Sequence, residues 1–246
     1  MIGAEIDQAI NLQSIELTRH LASLLPTSGT FVDLGSDSRS ALHGFEARFR
    51  NILMLDRRVP SLPRPPGKDS TFVQADYRDL PLRSSSVAGL IARFTLHDVA
   101  FENLDMISLF AEWRRVTQSH ISKLVICDWA WPPHENDMYQ GISRLFGTSV
   151  SREDRRYAAA DLPQIASQLR RNRWSIERAN THNFDWAWRG SAEMLERSLF
   201  VTSSTYRRLV VRQEREQAAR QAVVAFVRPN LTDFKSAIAL LVASPA

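Results

Sequence analysis

Three short apolar runs, each with an aspartate at or near its end, constrain the fold of this chain more than any other feature. Each run has four or five apolar or β-branched residues between turn-forming residues, which is typical of a buried parallel strand. The runs cover residues 31–35, 52–56 and 71–76. Segments of helical length between such strands predict successive βαβ units, and therefore an α/β fold with a doubly wound sheet.

The aspartate of the second run, Asp56, lies about twenty residues after the turn at Gly35, a spacing that has a known use in doubly wound sheets. An acid at that distance from a glycine turn accepts hydrogen bonds from the hydroxyls of a ribose. The sequence therefore predicts a nucleoside-type cofactor site, or the remains of one, at the ends of the first strands.

The composition is that of an ordinary globular protein, with 44% hydrophobic and 24% charged residues over 246 positions. This length predicts a single domain over residues 1–246. No apolar run approaches the roughly 20 residues that span a bilayer, and the first residues lack the pattern of a secretory signal. We therefore expect a cytoplasmic protein without a membrane span. The single cysteine, Cys127, lies in an apolar run, which favours a buried structural role.

The net charge of +4 comes from arginine-rich segments, which raises the question of nucleic-acid binding. Acidic residues alternate with these arginines, and this pattern favours solvated helix faces with internal ion pairs. We therefore do not expect a nucleic-acid partner.

Seven strands are predicted along the chain, together with an N-terminal helix within residues 1–28 and later helices at 38–50, 103–117 and 161–171. The predicted strands lie at residues 30–34, 51–55, 71–75, 87–92, 123–129, 174–177 and 236–243. Residues 129–160 and 180–230 are longer than ordinary crossovers and predict helical insertions.

Seven strands in this order, with the insertions late in the chain, resemble the class I S-adenosylmethionine-dependent methyltransferases, and more narrowly their small-molecule, type 11 branch. The resemblance depends on three stretches, which are VDLG at 32–35, ADYRDLPL at 75–82, and RFTLHDV at 93–99 followed by WRRV at 113–116. The glycine-rich motif of the family is degenerate here, because Asp37 and Arg39 stand at its second and third glycine positions.

The resemblance implies S-adenosylmethionine as the cofactor, and it implies roles for the matching residues. Asp33 would position the glycine loop and the amino group of the cofactor, and Gly35 would leave room for the methionine portion. Asp56 would accept hydrogen bonds from both ribose hydroxyls. Asp76 and the backbone of Tyr77 would meet the adenine edge.

Two residues are candidates for a catalytic base, because both follow strands at the carboxyl edge, where ligands bind in open α/β sheets. His97 comes just after the fourth strand, and Asp128 lies at the end of the fifth. A packing role for His97 and a turn role for Asp128 are the alternatives. Phe94 begins the segment that, by the resemblance, lines the cofactor and faces the substrate.

Aromatic residues are concentrated in the two predicted insertions, which form the substrate lid in the resembled family. The residues that we expect to contact the substrate are Trp129, Trp131, Tyr139 and Trp186. Clustered aromatic surface suits a flat or bulky apolar ligand, and an aromatic core between lid and sheet is the alternative. No spacing of histidine and cysteine indicates a metal site.

The sequence thus predicts methyl transfer from S-adenosylmethionine to a small aromatic or apolar molecule. Two other hypotheses stay open. One is a methyltransferase-like protein without transfer activity that binds a partner, and the other is a cofactor-binding fold that catalyses a cyclisation or rearrangement. A homodimer also stays open.

Overall fold

The computed structural model describes residues 17–35, 49, 51–57, 70–96, 105–117, 121–129, 137–148, 161–184, 191–202, 204–211, 213–230 and 236–246. Within them, seven strands form one sheet. The strands are β1 Thr30–Leu34, β2 Asn51–Asp56, β3 Ser70–Gln74, β4 Gly89–Arg93, β5 Lys123–Trp129, β6 Trp174–Phe184 and β7 Ser236–Pro245. Their order across the sheet is β3-β2-β1-β4-β5-β7-β6.

Six helices are described over their whole length, and each is formed by an amphipathic stretch of sequence. They are α1 Met106–Val116, α2 Asp137–Leu145, α3 Leu162–Arg171, α4 Ala192–Thr202, α5 Ser204–Val211 and α6 Glu216–Val227, followed by a short 3-10 turn at Arg228–Asn230. Residues 17–23 are also helical, within the predicted N-terminal helix, whose earlier part lies outside the described residues. The predicted helix at 38–50 lies outside them too, apart from residue 49.

The pairing of the strands confirms the predicted doubly wound, mostly parallel sheet. β1 pairs in parallel with β2 on one side and β4 on the other, and β5 continues in parallel beside β4. β7 pairs antiparallel with β5. All five residues of β4 are buried, as expected for a central strand that is covered on both faces.

One face of the sheet packs against α1 and α3 to form a continuous apolar core. Helix α1 begins after Asp105, whose carboxylate accepts hydrogen bonds from the backbone N–H groups of Ile107 (2.9 Å) and Ser108 (3.3 Å). The buried residues of α1 recur at helical spacing and meet the core cluster of the sheet. They are Leu109, Phe110, Trp113 and Val116.

The chain forms two compact units. The first comprises residues 14–130, 159–182 and 238–246, and the second comprises residues 1–13, 131–158 and 183–237. The second unit contains α2, α4, α5 and α6, which share a separate apolar core built around Ile142, Tyr206, Val210 and Val223. The prediction of a single domain over 1–246, with insertions at 129–160 and 180–230, stays a prediction.

Strand β6 differs most from its predicted bounds, because it continues to Phe184 instead of ending at Glu177. It lies at one edge of the sheet, and residues 177–181 are exposed. An exposed edge strand has no need of the apolar pattern by which the buried strands were predicted. Among the described helices, none has the length and apolar character that crossing a membrane requires.

Cys127 gives a test of the central sheet. Its side chain has 0% exposure, and burial, together with the nearby charge of Asp128, raises the pKa of the thiol far above its ordinary value. We expect Ellman's reagent to leave the native protein unmodified at mildly alkaline pH, and to modify the thiol only at the rate of unfolding. The single cysteine should react at once in guanidinium chloride, and rapid modification of native protein would contradict the buried placement.

Candidate functional site

The site is defined by the carboxyl ends of β1 to β5, which lie at one edge of the sheet because these strands are parallel. The chain passes from β1 to β2 and β3 on one side, and then returns to place β4 and β5 on the other. This reversal between β1 and β4 is a topological switch point, where open α/β sheets have a crevice that binds ligands. The residues at these ends include Asp33, Gly35, Asp56, Asp76, Phe94 and Asp128.

Two charged residues are buried on the same face of β1 and β4. Asp33 is 2% exposed and Arg93 is 8% exposed. The register pairs Asp33 with Ile91, and strand alternation places Arg93 on the face of Ile91. The Arg93 guanidinium donates a hydrogen bond of 3.0 Å to the hydroxyl of buried Thr18. An acid and a base are therefore both buried on one face of the sheet at the switch point.

Sequence reasoning missed Arg93 as a structural part of this site. The sequence did contain a signal for this role. Arg93 directly follows the apolar run at 89–92, and an arginine at the end of a buried strand needs a buried partner.

Gly35 lies just past β1 with a φ of +79°, in the left-handed region that glycine tolerates. Its N–H donates to the carbonyl of Leu55 at 2.8 Å, which ties the end of β1 to β2. A Cβ at this position would lie 2.3 Å from the hydroxyl oxygen of Thr95. The space left by the missing side chain is therefore used by Thr95, and a use by the cofactor stays a prediction.

The ends of β2 and β3 bring the predicted ribose and adenine residues to neighbouring positions. Asp56 is half-buried at the last position of β2 and pairs in register with Gln74, two residues before Asp76. The guanidinium carbon of Arg57 lies 5.6 Å from the centroid of the Tyr77 ring, a cation–π contact that covers this buried ring.

The carboxylate of Asp76 is held by Arg78 in a two-point ion pair. Arg78 donates from Nη2 at 2.7 Å, from Nε at 3.0 Å and from its backbone N–H at 2.8 Å. The hydrogen bond from the Arg78 side chain is the main cause that lowers the pKa of Asp76 to about 2. The carboxylate is therefore ionised at neutral pH and shares its acceptor capacity with Arg78.

Helix α1 fixes the loop that follows β3 through hydrogen bonds to its backbone. The indole N–H of Trp113 donates to the carbonyl of Tyr77 at 3.1 Å. Glu112 accepts from the N–H of Leu80 at 2.7 Å, and Arg115 donates to the carbonyl of Leu80 at 3.1 Å. These hydrogen bonds hold the backbone of the loop against α1. Sequence reasoning predicted this helix from its apolar residues but did not find the role of Glu112.

The candidate catalytic and lid residues are only partly described. Asp128 is 1% exposed at the end of β5, where it pairs in register with Ala239 of β7. Trp129 ends β5 and Tyr139 lies in α2, and their side chains are outside the described part of the chain. Outside it altogether are His97, Trp131, Trp186, Asp37 and Arg39. Among the described residues, no group of three or more histidine, cysteine or carboxylate side chains could hold a metal ion.

Neither a protein-family model nor a curated protein sequence matches this chain. Solved structures do. A provisionally assigned type II methyltransferase from Anaeromyxobacter dehalogenans is similar, with a TM-score of 0.56, 17% identity, and coverage of 94% of this chain and 95% of that one. The cyclase SpnF is similar with a TM-score of 0.54 and 14% identity, over 94% of this chain and 81% of that one.

A third similar structure is phosphoethanolamine N-methyltransferase 2 of Haemonchus contortus in complex with S-adenosyl-L-methionine. It has a TM-score of 0.53 and 13% identity, over 90% of this chain and 50% of that one. At these identities the likenesses establish the fold. This chain has the Rossmann-like fold of the class I methyltransferases, as the order of its strands indicates.

The ion pair between Asp76 and Arg78 predicts a pH effect. Because the pKa of Asp76 falls from 3.8 to about 2 on folding, the pair contributes stability above about pH 4 and loses it as the pH falls toward 2. We expect Arg78→Ala to raise the pKa of Asp76 toward 3.8. A pH titration followed by the chemical shift of the Asp76 carboxyl carbon measures this pKa directly. Arg83→Ala, which removes an arginine from the turn that follows the Asp76 loop, is the control. An unchanged pKa in Arg78→Ala would contradict the ion pair.

Proposed function

We propose that this chain binds S-adenosylmethionine at the carboxyl edge of β1 to β4 and transfers its methyl group to a small aromatic or apolar molecule. The observation that carries the proposal is the reversal of strand order between β1 and β4, with an acid near the end of each of the first three strands. Ligands of open α/β sheets bind at such a reversal.

The residues at this edge fit the cofactor in chemical kind. The half-buried carboxylate of Asp56 would accept hydrogen bonds from the two ribose hydroxyls. Asp76 and the backbone of Tyr77 lie one strand further along, where the adenine edge would bind. Asp33 and Gly35 lie on the other side of Asp56, toward the amino and methionine portions.

When bound, the cofactor supplies a methyl group whose bond to the sulfonium breaks with its electron pair going to sulfur. The contribution of the protein is alignment of the acceptor and exclusion of water, which can account for most of the rate gain. A hydroxyl or ammonium acceptor also has to lose a proton. His97 and Asp128 are the proposed bases, and Asp128 lies at the same edge of the sheet as the cofactor residues.

The proposed acceptor class comes from the aromatic residues of the sequence. Trp129, Trp131, Tyr139 and Trp186 are proposed to contact it, because large rings give a flat apolar molecule much contact area at a small entropic cost.

The likeness to the cyclase SpnF favours a second candidate function, in which the bound cofactor is kept and no methyl group is transferred. Incubation with S-adenosylmethionine and a panel of phenols, indoles and amines separates the two. Formation of S-adenosylhomocysteine supports methyl transfer, and its absence with every acceptor despite cofactor binding supports the second candidate. Where a phenol is the acceptor, Asp128→Asn should lower the rate about 100-fold if this residue is the base.

Isothermal titration with S-adenosylhomocysteine tests cofactor binding. We expect Asp56→Asn to weaken the affinity about 10- to 100-fold, because charge-assisted hydrogen bonds to the ribose are lost. Glu177→Gln is the matched control, since this carboxylate is paired with Lys123 near the amino end of β5, at the opposite edge of the sheet. Absence of heat with wild-type protein would refute the proposed function. Equal affinities of wild type and Asp56→Asn would refute the role of Asp56 alone.

A further inference from the structure

We propose that Thr95 is a positioning residue that, together with Gly35, holds Phe94 in a left-handed backbone conformation and so fixes the cofactor site at the end of β4. The assignment of this region as a cofactor site rests on the proposed function. The conformation itself does not depend on it.

Phe94 has a φ of 51°, which is uncommon for a residue with a large side chain. Two other described residues that are not glycine share a positive φ, and both lie in turns away from the carboxyl edge. These are Ser85 before β4 and Arg173 before β6. Such a conformation costs stability, so it persists only where surrounding contacts impose it, and it is concentrated at ligand sites.

Hydrogen bonds on both sides of Phe94 impose its conformation. The N–H of Phe94 donates to the carbonyl of Cys127 in β5 at 2.7 Å. The hydroxyl of Thr95, which is 2% exposed, lies 2.8 Å from the carbonyl oxygen of Leu34 and 3.1 Å from that of Arg93. The peptide unit that precedes Phe94 is thus anchored to β5, and the residue that follows Phe94 is anchored through its side chain to β1.

Gly35 is what allows Thr95 to reach the end of β1. A Cβ at residue 35 would lie 2.3 Å from the Thr95 hydroxyl oxygen and 3.2 Å from its Cγ2. Gly35 is itself left-handed, and its N–H is bonded to Leu55 in β2. The contacts therefore run from β2 through Gly35 and Thr95 to Phe94 and β5, and they tie together the ends of four neighbouring strands at the switch point.

A glycine at position 94 would allow the chain to leave β4 in this conformation without strain. The chain has a half-buried phenylalanine there instead. Strain that is retained beside a binding crevice, and that is supported by a buried hydroxyl, indicates that the position of Phe94 serves the site.

The first test needs no ligand. We expect Phe94→Gly to melt at a higher temperature than Phe94→Ala, because glycine adopts a positive φ freely and alanine does not. The advantage of glycine should shrink when both variants also carry Thr95→Val. Phe72 in β3 is the control position, where alanine should melt higher than glycine, as is usual in a strand. If Phe94→Gly melts below Phe94→Ala, or if Thr95→Val leaves the difference unchanged, the proposal is overturned.

The second test measures the dissociation constant of S-adenosylhomocysteine by isothermal titration. We expect Thr95→Val to weaken binding about tenfold and Thr95→Ser to stay within about threefold of wild type, because serine keeps the hydroxyl. Ser122→Ala is the matched control, since this buried hydroxyl donates to the carbonyl of Val87 (3.0 Å) at the amino edge of the sheet. A merely structural hydroxyl predicts the same affinity in Thr95→Val and Ser122→Ala, and that result would overturn the proposal.

The two tests separate this inference from the proposed function. If wild-type protein binds no S-adenosylhomocysteine, the proposed function fails, and the melting comparison still decides whether Thr95 holds Phe94. If wild type binds and Thr95→Val binds equally well, the proposed function stands and the positioning role of Thr95 fails.

Discussion

The parallel pairing of β1 with β4 is the interaction on which the rest of the structure depends. It places the end of β1 beside the end of β4 and creates the reversal of strand order at which a ligand can bind. The register pairs Phe31 with Gly89, and a Cβ at Gly89 would lie 2.8 Å from the Phe31 ring, which stacks on Phe49 at 3.7 Å. A slip of one residue would replace Gly89 with a residue that has a side chain, and the Phe31 ring leaves no room for it.

The strands of the central sheet could be predicted from sequence because burial on both faces leaves a continuous apolar run. The predicted bounds of β1 and β5 are confirmed at Thr30–Leu34 and Lys123–Trp129, where turn-forming residues border such runs. β6 was predicted too short, because its polar second half lies at an exposed edge. Helix α1 begins later than predicted, because the carboxylate that caps it belongs to Asp105.

The sequence indicated which strand ends carry acids, but it did not indicate which contacts form at these ends between segments that are far apart in the chain. The hydrogen bond between Thr18 and Arg93 joins residues 75 positions apart, and the contact of Gly35 with Thr95 depends on the register of two strands. Pairings of this kind arise only when separate segments fold together. The pairing of Asp76 with Arg78 is local, and it could have been suspected from their spacing of two residues.

The same fold occurs in proteins named as methyltransferases and in SpnF, which is named as a cyclase. The fold therefore does not decide the chemistry of this chain, which depends on its site. A crystal structure with S-adenosylhomocysteine is the most direct measurement of that site. We expect the adenosyl group at the carboxyl ends of β1 to β4, with the ribose hydroxyls within hydrogen-bond distance of the Asp56 carboxylate. A cofactor bound elsewhere, or an Asp56 carboxylate directed away from it, would contradict the proposed site.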